Sequence, residues 1–172
     1  MATTYEIIAS VTVGSGGAAD IEFTSIPQTY TDLVLKCSIR GTASSLARDL
    51  LIQINGNSSS YSDKYLMGAG ASVSSEINGG GTTRLFGGPQ NGNSSTANTF
   101  SNGEVYIPNY TGSNYKSASA DSVSETNATT IYSALVASLW SNTAAITSLV
   151  LTLHSGDIGE YSTAYLYGIS NA

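Results

Sequence analysis

Tyr161-Ser162-Thr163-Ala164-Tyr165-Leu166-Tyr167-Gly168-Ile169 reads with a period of two. Tyr161, Thr163, Tyr165, Tyr167 and Ile169 fall on one side, and Ala164, Leu166 and Gly168 on the other. Successive side chains of an extended chain point to opposite faces, and β-branched and aromatic residues suit a pleated surface, so this stretch is a β-strand. Just upstream, residues 146–154 set Ile146, Ser148, Val150 and Thr152 against Thr147, Leu149, Leu151 and Leu153, and the second set is assigned to the core. The same alternation recurs toward the N-terminus at residues 131–140, 115–124, 104–108, 61–67, 49–55, 33–40, 20–26 and 5–13. Gly14-Ser15-Gly16-Gly17, Pro27 and Asn55-Gly56-Asn57 punctuate the runs as turn signals.

No stretch keeps helical spacing, so the chain is predicted to be all-β. About nine or ten strands at this spacing point to an antiparallel β-sandwich, with a jelly roll as the expected arrangement. Residues 1–172 are read as one domain, long enough to bury a sizeable core. Ile7, Val11, Phe23, Leu33, Leu35, Ile52, Ile54, Leu135, Leu149, Leu151 and Leu166 are the expected core residues. Residues 68–98 are rich in Gly, Ser, Thr and Asn and poor in apolar residues. They are expected to form one long protruding loop, with at most a short strand near residues 82–86.

Only 10% of the residues are charged, and hydroxyls, amides and glycine supply the polarity. Six basic against twelve acidic residues give a net charge of −6, and the basic ones are scattered. Phosphate binding needs clustered Lys or Arg, so nucleic acid is excluded as a partner. No apolar run is long enough to span a bilayer as a helix, and the first residues lack the basic start and apolar core of a secretory signal. The composition nevertheless resembles that of an extracellular module, a contradiction that a virus particle released by lysis would resolve.

Motifs for catalysis are missing. The one histidine, His154, ends a strand and opens Ser155-Gly156-Asp157, which reads as a turn and not as part of a triad or metal site. No spacing selects two of the twelve carboxylates for glycoside cleavage, and the Asp/Asn pattern of an EF-hand loop is absent. The glycine-rich stretches do not follow a strand and open a helix, so they are turns and not phosphate cradles. Cys37 shares a face with Leu33, Leu35 and Ile39 and reads as a small buried hydrophobe. The expectation is therefore no catalytic residue, no cofactor and no metal ligand.

The aromatic set is skewed toward tyrosine, with eleven Tyr against three Phe and one Trp. A flat apolar ring with a polar tip serves both protein and sugar contacts. Tyr61, Tyr65, Tyr110 and Tyr115 border loops and are the candidates for an exposed contact surface. Trp140 ends a strand, where it either stacks on a sugar ring or caps the core beside Leu139 and Ile146.

Several phrases carry a family resemblance. They are Tyr30-Thr31-Asp32-Leu33-Val34-Leu35-Lys36; Asp49-Leu50-Leu51-Ile52-Gln53-Ile54-Asn55-Gly56 with Tyr61-Ser62-Asp63 after it; Glu104-Val105-Tyr106-Ile107-Pro108-Asn109-Tyr110; Ala145-Ile146-Thr147-Ser148-Leu149; and the ending at residues 161–169. Together they resemble a small β-structured virion protein of tailed bacteriophages, notably phages of aquatic bacteria. The resemblance implies a non-enzymatic particle component, either a capsid decoration protein or a tail-fibre-like part. The first strand starts within a few residues of Met1, with no attachment segment ahead of it, which favours decoration. On that reading the partner is the major capsid protein lattice, bound by a homotrimer at a local three-fold axis on the outer capsid of a particle made in the host cytoplasm. The alternative is a tail-fibre or tail-tip receptor-binding module that takes a host glycan.

Overall fold

The computed structural model describes residues 4–77, 79, 81–127 and 130–170. Among them every regular element is a strand: β1 (Tyr5–Thr12), β2 (Ile21–Phe23), β3 (Asp32–Ser38), β4 (Ala47–Ile54), β5 (Tyr61–Ala69), β6 (Ser72–Ile77), β7 (Leu85–Asn91), β8 (Asn102–Ile107), β9 (Lys116–Ser124), β10 (Tyr132–Trp140), β11 (Leu149–Leu153) and β12 (Thr163–Ile169). They form an eight-stranded sheet, β1-β12-β3-β8-β9-β10-β5-β6, and a four-stranded sheet, β2-β11-β4-β7, with every strand pair antiparallel.

The topology becomes simple once two hairpins are set aside. Without β5–β6 and β9–β10, the remaining strands run β1-β12-β3-β8 in one sheet and β2-β11-β4-β7 in the other. That is the strand order of a jelly roll, in which successive strands alternate between sheets except at one step, here β4 to β7, and the chain ends lie side by side. One hairpin is inserted between β4 and β7, the other between β8 and β11, and both extend the same sheet beyond β8. The expected all-β sandwich is present, with twelve strands in place of nine or ten.

The sheets pack differently at their two ends. Around β2, β11 and β4, Ile21, Phe23, Leu149, Leu151, Ile52 and Ile54 pack in one buried cluster with Leu33, Leu35, Val105, Ile107 and Leu166 of the larger sheet. At the start of β7, Leu85 and Phe86 are buried with Tyr65, but from Gly87 onward the large side chains give out. Leu50 of β4 stands at a bulge opposite Gly87 and Gly88, and a Cβ on Gly88 would lie 2.8 Å from the Ser122 Cβ. Gly88 also has a φ of 84°, which disfavours any other residue. The inward positions facing this strand are accordingly small: Ala118, Ala120, Ser122 and Ser124 on β9 and Ala134 on β10. Pro89, which lacks an N–H, is tolerated because β7 is an edge strand.

Three expectations are corrected by this packing. Residues 68–98 are not one long loop: β5 runs into them, β6 pairs with β5, and β7 is buried along its whole length. Their few apolar side chains misled because β7 is enclosed chiefly through close backbone approach. The connection after β7 is also tied down, since the Arg40 guanidinium donates to the carbonyls of Asn93, Ser95, Thr96 and Thr99 at 2.9–3.1 Å. Leu135 was expected in the core and is 65% exposed, because Ala134 and Val136 are the residues that fit the narrow gap. Ile7 is 55% exposed: a bulge between Ile7 and Ala9 puts Ile7 opposite Tyr167 and Ala9 opposite Leu166, so the two lie on opposite faces.

Candidate functional site

Cross-strand register fixes what the outer face of the eight-stranded sheet displays. One row runs Ile7, Tyr167, Val34, Tyr106, Ser119, Ala137, Lys64, Ile77. The next runs Tyr165, Lys36, Glu104, Asp121, Leu135, Leu66, Ser75, and a third includes Asn102, Val123, Ser133, Gly68 and Val73. No second sheet covers this side, so these side chains meet solvent or a partner.

The face divides into two fields. On the jelly-roll half, Tyr5 and Tyr167 pack with ring centroids 5.4 Å apart, and Val34 is buried between its register neighbours Tyr167 and Tyr106. The Tyr106 hydroxyl donates to Asp32 Oδ2 at 2.8 Å, and that hydrogen bond is the main reason its pKa is raised. Lys36 and Glu104 close this field with an ion pair at 2.9 Å, and the bond to Glu104 raises the Lys36 pKa. On the inserted half, exposed aliphatic side chains dominate: Leu66, Val73, Ile77, Val123 and Leu135. Between the fields lies a groove of about 560 Å³, with Tyr106 and Glu104 on one side, Leu66 and Lys64 on the other, and Ser119 and Ala137 in the row between them. A second depression of about 470 Å³ shares Leu66, Asp121 and Leu135 with it and reaches Val73 and Val123. Among the described residues Lys64 and Asp121 have no ion-pair or hydrogen-bond partner for their side chains.

The five aromatic residues singled out from the sequence do not make a site together. Tyr61 and Trp140 are buried and stacked on each other, 6.2 Å between centroids, with the Tyr61 hydroxyl accepting from the Ile54 N–H and donating to the Asn57 carbonyl. Tyr65 packs against Phe86 at 4.8 Å and donates to Glu76 Oε2; burial, and then Glu76, push its pKa up to about 12. Tyr110 is fully enclosed and bonds the Pro27 carbonyl. Tyr61, Tyr110 and Trp140 fill space behind strand ends and Tyr65 lies mid-strand against Phe86, so the expectation of an exposed contact surface is corrected for Tyr61, Tyr65 and Tyr110, and Trp140 takes its core-capping alternative. Tyr115 alone is exposed, at 60%.

The residues that do form the outer face were passed over, because alternation says that two faces exist and not which one is wet. The small inward residues of β9 were the available signal: a run of Ala and Ser at every second position leaves its neighbours on the open side. Among the described residues no three His, Cys, Asp or Glu come together as a metal-binding group. Cys37 is enclosed, and burial pushes its thiol up to about 12. Chemically, the face can bind: it offers apolar ridges, hydroxyls and two free charges of opposite sign. Comparison with protein-family models, with curated proteins and with solved structures finds no match to this chain.

Proposed function

We propose that this protein is a non-enzymatic structural component of a bacteriophage virion, a homo-oligomeric decoration protein of the outer capsid. The observation that carries the reading is the inserted half of the outer face, where Leu66, Val73, Ile77, Val123 and Leu135 stand exposed as neighbours. A contiguous apolar patch on a soluble chain marks a surface that another protein covers. A net charge of −6 argues for protein over nucleic acid as that partner. A decoration protein needs contacts and no reacting groups, and by binding the assembled shell in preference to free subunits it stabilises the shell through linkage. The resemblance to small phage virion proteins gives the particle context, with a trimer at local three-fold axes as the oligomer it implies.

A second reading, a tail-fibre or tail-tip receptor-binding module, is favoured by the other half of the same face. There Tyr5, Tyr106, Tyr165 and Tyr167 share one surface, a layout on which a host glycan can stack. One experiment separates the two. Purified protein is mixed with undecorated capsids, and bound copies and capsid melting temperature are measured. Many lattice-related copies with a raised melting temperature are expected. Attachment at the tail alone, or to host-cell glycans, would transfer the assignment to the second reading, and attachment to neither would overturn both.

A further inference from the structure

The inserted half of the outer face is self-complementary, and we infer that a second copy of this chain covers it in an isologous two-fold dimer. The inference rests on the proposed function only in taking this patch to be a protein-covered surface.

The charge pattern sets the geometry. On β10, Ala137 has Lys64 as its neighbour on the β5 side, and Leu135, two residues away, has Asp121 on the β9 side. Lys64 and Asp121 therefore stand diagonally across β10, one strand to either side, with opposite charges and no partners of their own among the described residues. A two-fold axis lying in the plane of the face, through β10 between Leu135 and Ala137 and perpendicular to that diagonal, sets Lys64 of each copy over Asp121 of the other. The same rotation brings Ile77 over Val123, Leu66 against Leu135, and Val73 against its own mate, so each apolar residue meets an apolar residue. A pattern without this symmetry would have placed a charge over an exposed leucine.

The contact is small: the residues it uses lie on β9-β10-β5-β6, and at the usual strand spacing and rise they cover roughly 400 Å² per copy, or ~800 Å² in all, the size of a weak, reversible interface. Because an isologous contact closes at two copies, a dimer takes the place of the trimer that the resemblance implies for the free protein.

The test is the mass of the free full-length protein by light scattering and sedimentation, away from any capsid. The wild type is expected to be a dimer at micromolar concentration. K64D and D121K should each dissociate more readily, by more than about tenfold in Kd, since each places two like-charge pairs in the interface. The two single variants mixed together should form a heterodimer, and the double variant K64D/D121K should recover the homodimer; that recovery also proves the exposed substitutions harmless to folding. A monomeric wild type, or single variants that dimerise as the wild type does, or a mixture that stays monomeric, would overturn the inference. A monomer that still decorates capsids would sink this inference and spare the decoration reading, whereas a dimer that ignores capsids would do the reverse.

Discussion

The two ends of the sandwich use opposite means to stay closed. Around β2, β11 and β4 the sheets are held apart by large side chains such as Phe23, Leu149 and Leu151, all buried. Around β7 they approach until Gly88 meets Ser122, and the facing strands carry Ala and Ser. One end gains stability from apolar area throughout; the other combines the buried Leu85 and Phe86 with a stretch at Gly87 and Gly88 where the backbones pack closely and there is little side chain to bury. The leucines of β5 and β10 point outward, Leu66 from between the inward Tyr65 and Met67 and Leu135 from between the inward Ala134 and Val136.

Replacing a filler at the wide end should have the largest effect. Leu151→Ala, at a fully enclosed position, is expected to lower stability by about 2–5 kcal/mol in denaturant melts. A loss below ~1 kcal/mol would mean that the wide end closes around a missing side chain, and the contrast would fail. At the narrow end the damage comes from addition. Gly88→Val should cost about 2–4 kcal/mol, part from crowding Ser122 and part from a φ of 84°. Ser122→Gly in the same chain should recover the crowding share alone; complete recovery, or none, would show that the backbone and contact contributions have been misjudged. The smallest effect is expected from Leu135→Ser, within about 0.5 kcal/mol in the monomer, since the side chain is 65% exposed. A cost near that of Leu151→Ala would put Leu135 in the interior and dissolve the outer face with it.

The strands were legible because alternation survives in nearly every one of them, and the sandwich follows from their number and brevity. Faces were legible where large residues stand opposite polar ones, as at residues 149–153, and illegible on β10, where Ala134 and Val136 look no more interior than Leu135. The bulge in β1 exchanged the faces of Ile7 and Ala9 without any glycine to announce it. β7 was only half legible: Leu85 and Phe86 lie where a short strand was allowed, but its continuation through Gly87, Gly88, Gln90 and Asn91 is built of residues that in sequence spell a turn. Its polar side chains are satisfied inside: the Asn91 amide donates to Thr99 Oγ1, and Ser101 and Ser124 bond Gln90 and Asn91. The candidate site went unseen for the same reason as the faces, and the tyrosines drew attention to strand ends whose rings turn inward.

The Arg40 clasp has a consequence for how this surface can change. Four of the five acceptors it holds at residues 93–99 are main-chain carbonyls, which every amino acid supplies; the fifth is Thr99 Oγ1, at 3.4 Å. Ser94 and Ala97 are exposed, and no hydrogen bond runs from their side chains, whereas the exposed Asn98 has a φ of 63° that favours Asn or Gly. New residues at Ser94 and Ala97 would alter what the loop presents to its surroundings while its path stays the same. Beside a core with no slack, the fold thus keeps one stretch of chain whose wording is free and whose course is fixed.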